Sequence, residues 1–305
     1  MMRDRRSSPD ETKCNPGRHE VQVWQFGLDP LAATMSDPTT CLSQDERERA
    51  ARFRYEVHRR RWVTARIALR QILALYAGAN PASLRFHCDA YGKPTLLPPH
   101  DGVHFNLTHS GDLGLLAIAP APIGIDAECI DPRLDWDALT RRVASDDERE
   151  ALRQCPVSEQ RAAFFRLWTR KEAYIKGRGL GLSLPLSAIT VPVTALPGPG
   201  DIRVEAVWDD GQPWCLWDLE VPESHMASLC YAGTCGVIYG RPPIGRRRSG
   251  RATTRRQQGA GTRACHSVSR LGQSDLARSS LRFFLYLFDY SVKGGTMWGI
   301  VYPCL

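Results

Sequence analysis

Residues 123–128 read IGIDAE. Side chains alternate along an extended strand, so Gly124, Asp126 and Glu128 share one face and Ile123, Ile125 and Ala127 the other. Two carboxylates on one side suit a hard cation such as Mg²⁺, which is held by one or two carboxylates together with phosphates and water. A solvated strand edge explains D-x-E just as simply. Upstream, the short apolar runs VQVWQF (21–26), LRFHC (84–88), YGKPTL (91–96), VHFNL (103–107) and LGLLAIA (113–119) are bounded by turn residues and read as strands. Between the first two, a capping box at Ser43 and Glu46 opens an Arg-rich helical segment that runs to Ala77 and stops at Gly78. Downstream, helical periodicity spans about 135–176, with a second capping box at Ser145 and Glu148 and a glycine cluster at 177, 179 and 181. Strands are expected at 186–191, 202–208, 214–220 and 226–232. Helix, strands, helix, strands makes an α+β chain.

Composition bounds the alternatives. The 305 residues, 43% hydrophobic and 24% charged, exclude collagen, coiled coil and disulfide miniprotein. The net charge of +7 is concentrated at one end: residues 241–305 carry 12 Lys and Arg against Asp275 and Asp289, leaving 28 basic and 31 acidic side chains in 1–240. That basic, Gly-rich stretch is expected to be disordered, as an added arm or as sequence read past a natural end, and its patch LRFFLYLF (281–288) is too short to span a bilayer. Residues 1–19 read as a flexible N-terminus without a signal peptide. The ten cysteines form no C-x-x-C pair, so a reducing, cytoplasmic compartment is expected. No stretch approaches the roughly 18 apolar residues of a membrane helix, so no membrane is expected.

Two further segments carry chemistry. In FFRLWTRKEAYIKGRG (164–179), Trp168, Glu172 and Lys176 recur at helical spacing along one stripe, with Lys171 beside it. They offer a third carboxylate and a lysine for a phosphate, unless they are only a surface Glu–Lys pair over a core tryptophan. In YGKPTLLPPHDGVHFNLTHSG (91–111), Lys93 sits in a Gly-Lys-Pro turn, and Asn106, Thr108 and His109 follow a strand whose Phe105 and Leu107 take the opposite face. Such ammonium, hydroxyl and imidazole donors bind phosphates.

The joint occurrence of GKP, FNLTHS, GIDAE and WTRKEAYIKGRGLGL, in that order, resembles the 4′-phosphopantetheinyl transferases of the Sfp type, from about residue 21 to about 235. The resemblance implies two similar α+β halves related by a pseudo-twofold axis, 20–121 and 122–240, with coenzyme A and Mg²⁺ between them. It implies that Asp126, Glu128 and Glu172 hold Mg²⁺, Lys176 contacts the pyrophosphate, Thr108 and His109 lie on the phosphates, and Lys93 borders the adenine nucleotide. Arg61 matches the family's 3′-phosphate contact best, ahead of Arg66 and Arg70, while Trp168 positions its helix. The implied reaction moves phosphopantetheine from coenzyme A to a serine of an apo acyl or peptidyl carrier protein, the enzyme acting as a monomer. Glu172 is the expected base, with Glu128 or a water on the ion as alternatives. The chain departs from the commonest pattern at Thr108, Ala127 and Gly177, the last expected to shorten its helix. Competing readings are another Mg²⁺ enzyme acting on a nucleotide pyrophosphate, a nucleic-acid binder using the basic stretch, and a non-enzymatic scaffold.

Overall fold

The computed structural model describes residues 20–32, 38–181, 184–195, 205–206, 214–233 and 237–241, all within one compact unit. The readings made on 1–19 and 242–305 and on most of the strand expected at 202–208 lie outside these residues. A first run of elements comprises β1 (Glu20–Gly27), α1 (Leu28–Ala32), α2 (Gln44–Ala51), α3 (Glu56–Ala77), β2 (Phe86–Cys88), β3 (Pro94–Leu96), β4 (His104–Ser110) and β5 (Leu113–Ala119). A second run begins with β6 (Ile123–Cys129) and continues through α4 (Trp136–Val143), α5 (Asp146–Gln154), α6 (Val157–Arg178), β7 (Ile189–Thr190), β8 (Glu205–Ala206), β9 (Trp214–Asp218) and β10 (His225–Ala232). Last comes β11 (Val237–Arg241), parallel to β1. The architecture is α+β, as expected.

The sheets repeat one order. In the first, β5 lies between β1 and β4 and is antiparallel to both; in the second, β10 lies between β6 and β9 in the same way. Val21 and Val23 of β1 share a buried cluster with Ile123, Ile125 and Ala127 of β6 and Leu229 of β10, so the apolar face read from IGIDAE is the one the sheets share. On the other face of the first sheet, Phe26, Phe105, Leu107 and Ile118 pack with Leu69, Ile72 and Leu73 of α3. β5 is buried along its whole length, which is why its sequence is apolar without alternation.

The helical segments break where the sequence reading ran them together. Residues 44–77 form two helices because the chain turns at Arg52–Tyr55, bringing Glu46 back onto α3 beside Arg66 and 2.7 Å from Nε of Arg70. Glu46 also accepts from the Ser43 amide at 2.8 Å, so one carboxylate starts α2 and pins α3. Residues 135–176 form three helices: Glu148 accepts from the Ser145 amide at 2.7 Å to start α5, and Pro156 forces Cys155 out of the helical region (ψ 145°) before α6 begins.

Contrary to expectation, Gly177 does not shorten α6, which continues to Arg178 and ends on Gly179 in the left-handed conformation (φ 67°). What Gly177 provides is room. A Cβ on Gly124 would stand 2.0 Å from the Ala173 carbonyl oxygen and 2.3 Å from the Gly177 nitrogen, and one on Gly177 would stand 2.8 Å from the Trp214 ring. The α6 backbone therefore rests directly on β6. Gly124→Ala is expected to cost roughly 3 kcal/mol, since backbone cannot yield as a side chain can. Gly102→Ala, with nothing within 4 Å of its Cβ, should leave denaturant unfolding within about 0.5 kcal/mol of the parent.

Candidate active site

Contact between β6 and α6 brings together the acids that the sequence placed on separate elements. Asp126 and Glu128 lie on the face of β6 turned to α6, and Lys176 Nζ stands 2.5 Å from Asp126 Oδ1. Glu172, one turn earlier on α6 and buried, interacts electrostatically with Asp126, Glu128 and Lys176. Desolvation and the Asp126 charge push Glu128 up to about 8, against the pull of Lys176 and Ser110. Desolvation likewise raises Glu172 to about 7, Lys176 opposing and Asp126 adding. Burial disfavours the Lys176 charge, but Asp126 and Glu172 outweigh it and hold the ammonium above its ordinary range.

The other edge of the site is β4. Its side chains at alternate positions meet β6 in register: Asn106 Oδ1 accepts from the Ile125 amide at 2.8 Å, Thr108 Oγ1 donates to Asp126 Oδ1 at 3.4 Å, and Ser110 Oγ donates to Glu128 Oε2 at 3.0 Å. This corrects the grouping read from the sequence, because β4 runs on to Ser110. His109 therefore shares the parity of Phe105 and Leu107, while Thr108 points the other way, to the acids. His109 meets solvent, and desolvation by the surrounding protein, with the charges of Lys176, Arg61 and His58, holds its pKa below the usual range.

Arg61, Arg66, Arg70 and Lys93 are held by different partners. Arg61 interacts electrostatically with His109, as His58 does, and its guanidinium is held by Asp29 through Nη2–Oδ2 at 2.7 Å and Nε–Oδ1 at 3.2 Å. Arg66 and Arg70 are buried on Glu46, and Arg70 Nη1 also donates to the Pro81 and Leu84 carbonyls, so both serve the α2–α3 junction. Lys93 Nζ donates to the carbonyls of Gly177 (2.8 Å) and Ile123 (3.2 Å), tying the β2–β3 hairpin to the end of α6, and burial lowers it to about 8. Lys171 does not flank the stripe: it is fully buried, bonded to Glu148 at 2.5 Å and to the carbonyls of Val143 and Leu186 at 2.8 and 2.9 Å. Trp168 is buried against Phe164, ring centroids 6.3 Å apart. Ser110, Asp29 and His58 went unread in the sequence. For Ser110 the signal was present, since Asn106, Thr108 and Ser110 alternate in step with Gly124, Asp126 and Glu128.

Whether these residues suit a divalent cation is tested by their unmet bonding. Among the described residues Asp126 Oδ2 and Glu172 Oε1 are buried with no hydrogen-bond partner, although a buried carboxylate oxygen without one is costly. Three neighbouring acids, two of them with an open oxygen, fit a hard cation, with Lys176 supplying the positive charge to Asp126 in this structure. No group of three His, Cys, Asp or Glu among the described residues is already gathered at metal-binding spacing. The acids are near one another without being drawn onto one point.

The chain also matches known proteins along its sequence. A family model described as 4′-phosphopantetheinyl transferase, N-terminal, matches residues 27–121, and one described as 4′-phosphopantetheinyl transferase superfamily matches 122–229. The 4′-phosphopantetheinyl transferase HetI of Nostoc sp. strain PCC 7120 is 35% identical over 217 residues, 70% of this chain and 88% of that protein. The 4′-phosphopantetheinyl transferase psf-1 of Bacillus pumilus is 38% identical over 191 residues, 62% of this chain and 78% of the relative. Sfp of Bacillus subtilis strain 168 is 31% identical over 191 residues, 63% and 82% of the two chains. Matched along both runs of elements and by relatives covered over most of their length, the chain belongs to the 4′-phosphopantetheinyl transferase superfamily and is an enzyme of its Sfp type.

Proposed function

We propose that this enzyme transfers the 4′-phosphopantetheine group of coenzyme A to a serine of an apo acyl or peptidyl carrier protein in a Mg²⁺-dependent reaction. The observation that carries the reading is the meeting of Asp126, Glu128 and Glu172 around Lys176 with buried carboxylate oxygens left open. Asp126, Glu128 and Glu172 would hold the cation, which when bound neutralises charge on the diphosphate. Lys176 leaves Asp126 in part to meet the pyrophosphate, His109 and Thr108 bind phosphate oxygens, and Arg61, preset by Asp29, receives the 3′-phosphate. Lys93, engaged with two carbonyls, borders the nucleotide through its turn rather than through a free ammonium.

The carrier serine attacks the β-phosphorus. A bond forms between its oxygen and that phosphorus, the bond to the bridging oxygen breaks, and adenosine 3′,5′-bisphosphate leaves with the bonding pair. The serine proton passes to Glu172, the acid of α6 that faces Asp126 and Lys176. Lys176 stabilises charge growing on the leaving side.

The division into two halves at 121/122 belongs to the same proposal, as does a pseudo-twofold axis between them. Three features support it: the shared sheet order, the two 22-residue helices that each end on a left-handed glycine, and the two capping-box glutamates. Glu46 and Glu148 each pin the following long helix, and Arg70 and Lys171 occupy the same position within those helices. The acids Asp126, Glu128 and Glu172 all lie in the second run. Monomeric action in the cytoplasm completes the reading; among the described residues no helix is long and apolar enough to cross a membrane.

Incubation with coenzyme A and Mg²⁺ should add one phosphopantetheine to an apo carrier, seen by intact mass, and chelation should abolish the gain. An unmodified carrier from each of the fatty-acid, polyketide and nonribosomal-peptide classes would refute the assignment. Glu172→Gln should lower kcat by roughly 10²-fold or more; near-normal turnover would remove it from the role of base. A pH dependence follows as well. Glu128 and Glu172 have folded pKa values of about 8 and 7 against an ordinary 4.5, so between these values the folded protein holds protons the unfolded chain has released. Their contribution is complete below about pH 4.5 and lost as pH rises through 7 and 8. Chelated protein should lose melting temperature across that window, and Glu128→Gln should flatten the loss.

A further inference from the structure

We propose that Ser110 is a positioning residue for this reaction, its hydroxyl fixing the Glu128 carboxylate in the orientation in which it serves the cation. The inference rests on the reading of Glu128 as one of the three cation-holding acids. Ser110 Oγ is 2.9 Å from the Cys129 amide nitrogen and 3.0 Å from Glu128 Oε2. An amide can only donate, so the hydroxyl accepts from Cys129 and its single proton is left for the carboxylate. The backbone of β6 thus imposes the direction of that bond. Ser110 is 9% exposed, which leaves little water to compete for its proton.

The serine is itself held from behind. Its carbonyl accepts from His225 Nε2 at 3.1 Å, and Nδ1 of the same ring lies 2.9 Å from the Ser224 hydroxyl. Gly111 then turns the chain in the left-handed conformation (φ 59°), where a Cβ would come within 3.3 Å of that imidazole. Asn106 and Ser110 take amides of β6 on either side of Asp126, at Ile125 and Cys129. The acidic strand is gripped at both ends of its functional segment. A merely structural serine would be satisfied by the amide alone; the proton aimed at Glu128 is the part that bears on the reaction.

Loss of a hydrogen-bond partner behind a metal ligand typically weakens metal affinity or activity 10- to 100-fold. Ser110→Ala should therefore raise the Mg²⁺ concentration for half-maximal transfer roughly tenfold or more while KM for the carrier stays within about twofold. The Mg²⁺ needed to raise the melting temperature of the protein with coenzyme A, without carrier, should rise in the same proportion, and Ser110→Thr should restore both. Glu128→Gln is measured alongside. If it leaves both readouts at parental values, the cation-site reading fails and this proposal with it. If it shifts both while Ser110→Ala shifts neither, or if threonine fails to restore them, the role of Ser110 alone is overturned. Should the alanine variant not fold, Ser110→Cys, similar in volume but a weak donor, is judged by the same two readouts.

Discussion

A helix can lie against the backbone of a strand only where neither brings a side chain to the contact, and the site of this enzyme is built on such a place. Gly124 and Gly177 leave no Cβ between β6 and α6. Only that approach lets Lys176, the residue before Gly177, reach Asp126, two residues along the strand from Gly124. A methyl group at Gly124 would push α6 back from β6, and one at Gly177 would meet the Trp214 ring at 2.8 Å. The small residues are therefore as much a part of the chemistry as the acids, though they touch no reactant.

Holding α6 in place also requires fixing its rotation, and three consecutive charged residues divide that work. Arg170 turns to one side and clasps Asp218 through two nitrogens at 2.9 and 2.6 Å. Lys171 turns to another and is closed around by Glu148 and two carbonyls. Glu172, about 100° further round the helix, then has one direction left, toward β6. Buried ion pairs of this kind add little net stability but are expensive to break singly, so they favour one arrangement over its neighbours. The same device recurs at Glu46 with Arg66 and Arg70, where it keeps α3, and with it Arg61 and His58, against the first sheet.

Charge at the site is left deliberately unbalanced. Burial alone would neutralise three neighbouring carboxyl groups, and Glu128 and Glu172 are indeed pushed toward protonation. Lys176 relieves part of the repulsion, and β4 supplies hydroxyl groups instead of further acids or apolar side chains. The result is a set of oxygens oriented by the protein yet still short of positive charge.

Much of this was legible in the chain itself. Alternation in IGIDAE assigned the acids to one face and the apolar residues to the shared core, the helical interval joined Trp168, Glu172 and Lys176, and both capping boxes announced their helices. These are local periodicities, and local geometry is what a sequence encodes most directly. The positions of helix breaks were less legible, because the turn at Arg52–Tyr55 exists to return Glu46 to α3, a contact 20 residues away. Likewise nothing in Lys93, Lys171, Arg66 or Arg70 as letters tells a solvated cation from one enclosed by carbonyls and carboxylates; burial and partner decide it, and both are long-range. By itself the sequence determined the face of the acids on β6 and the order of the chemistry-bearing residues, but not the face on which His109 lies. Tertiary structure alone decided which of the charges are spent holding the fold and which remain open in the cleft, because that depends on which backbones come close enough to share their hydrogen bonds.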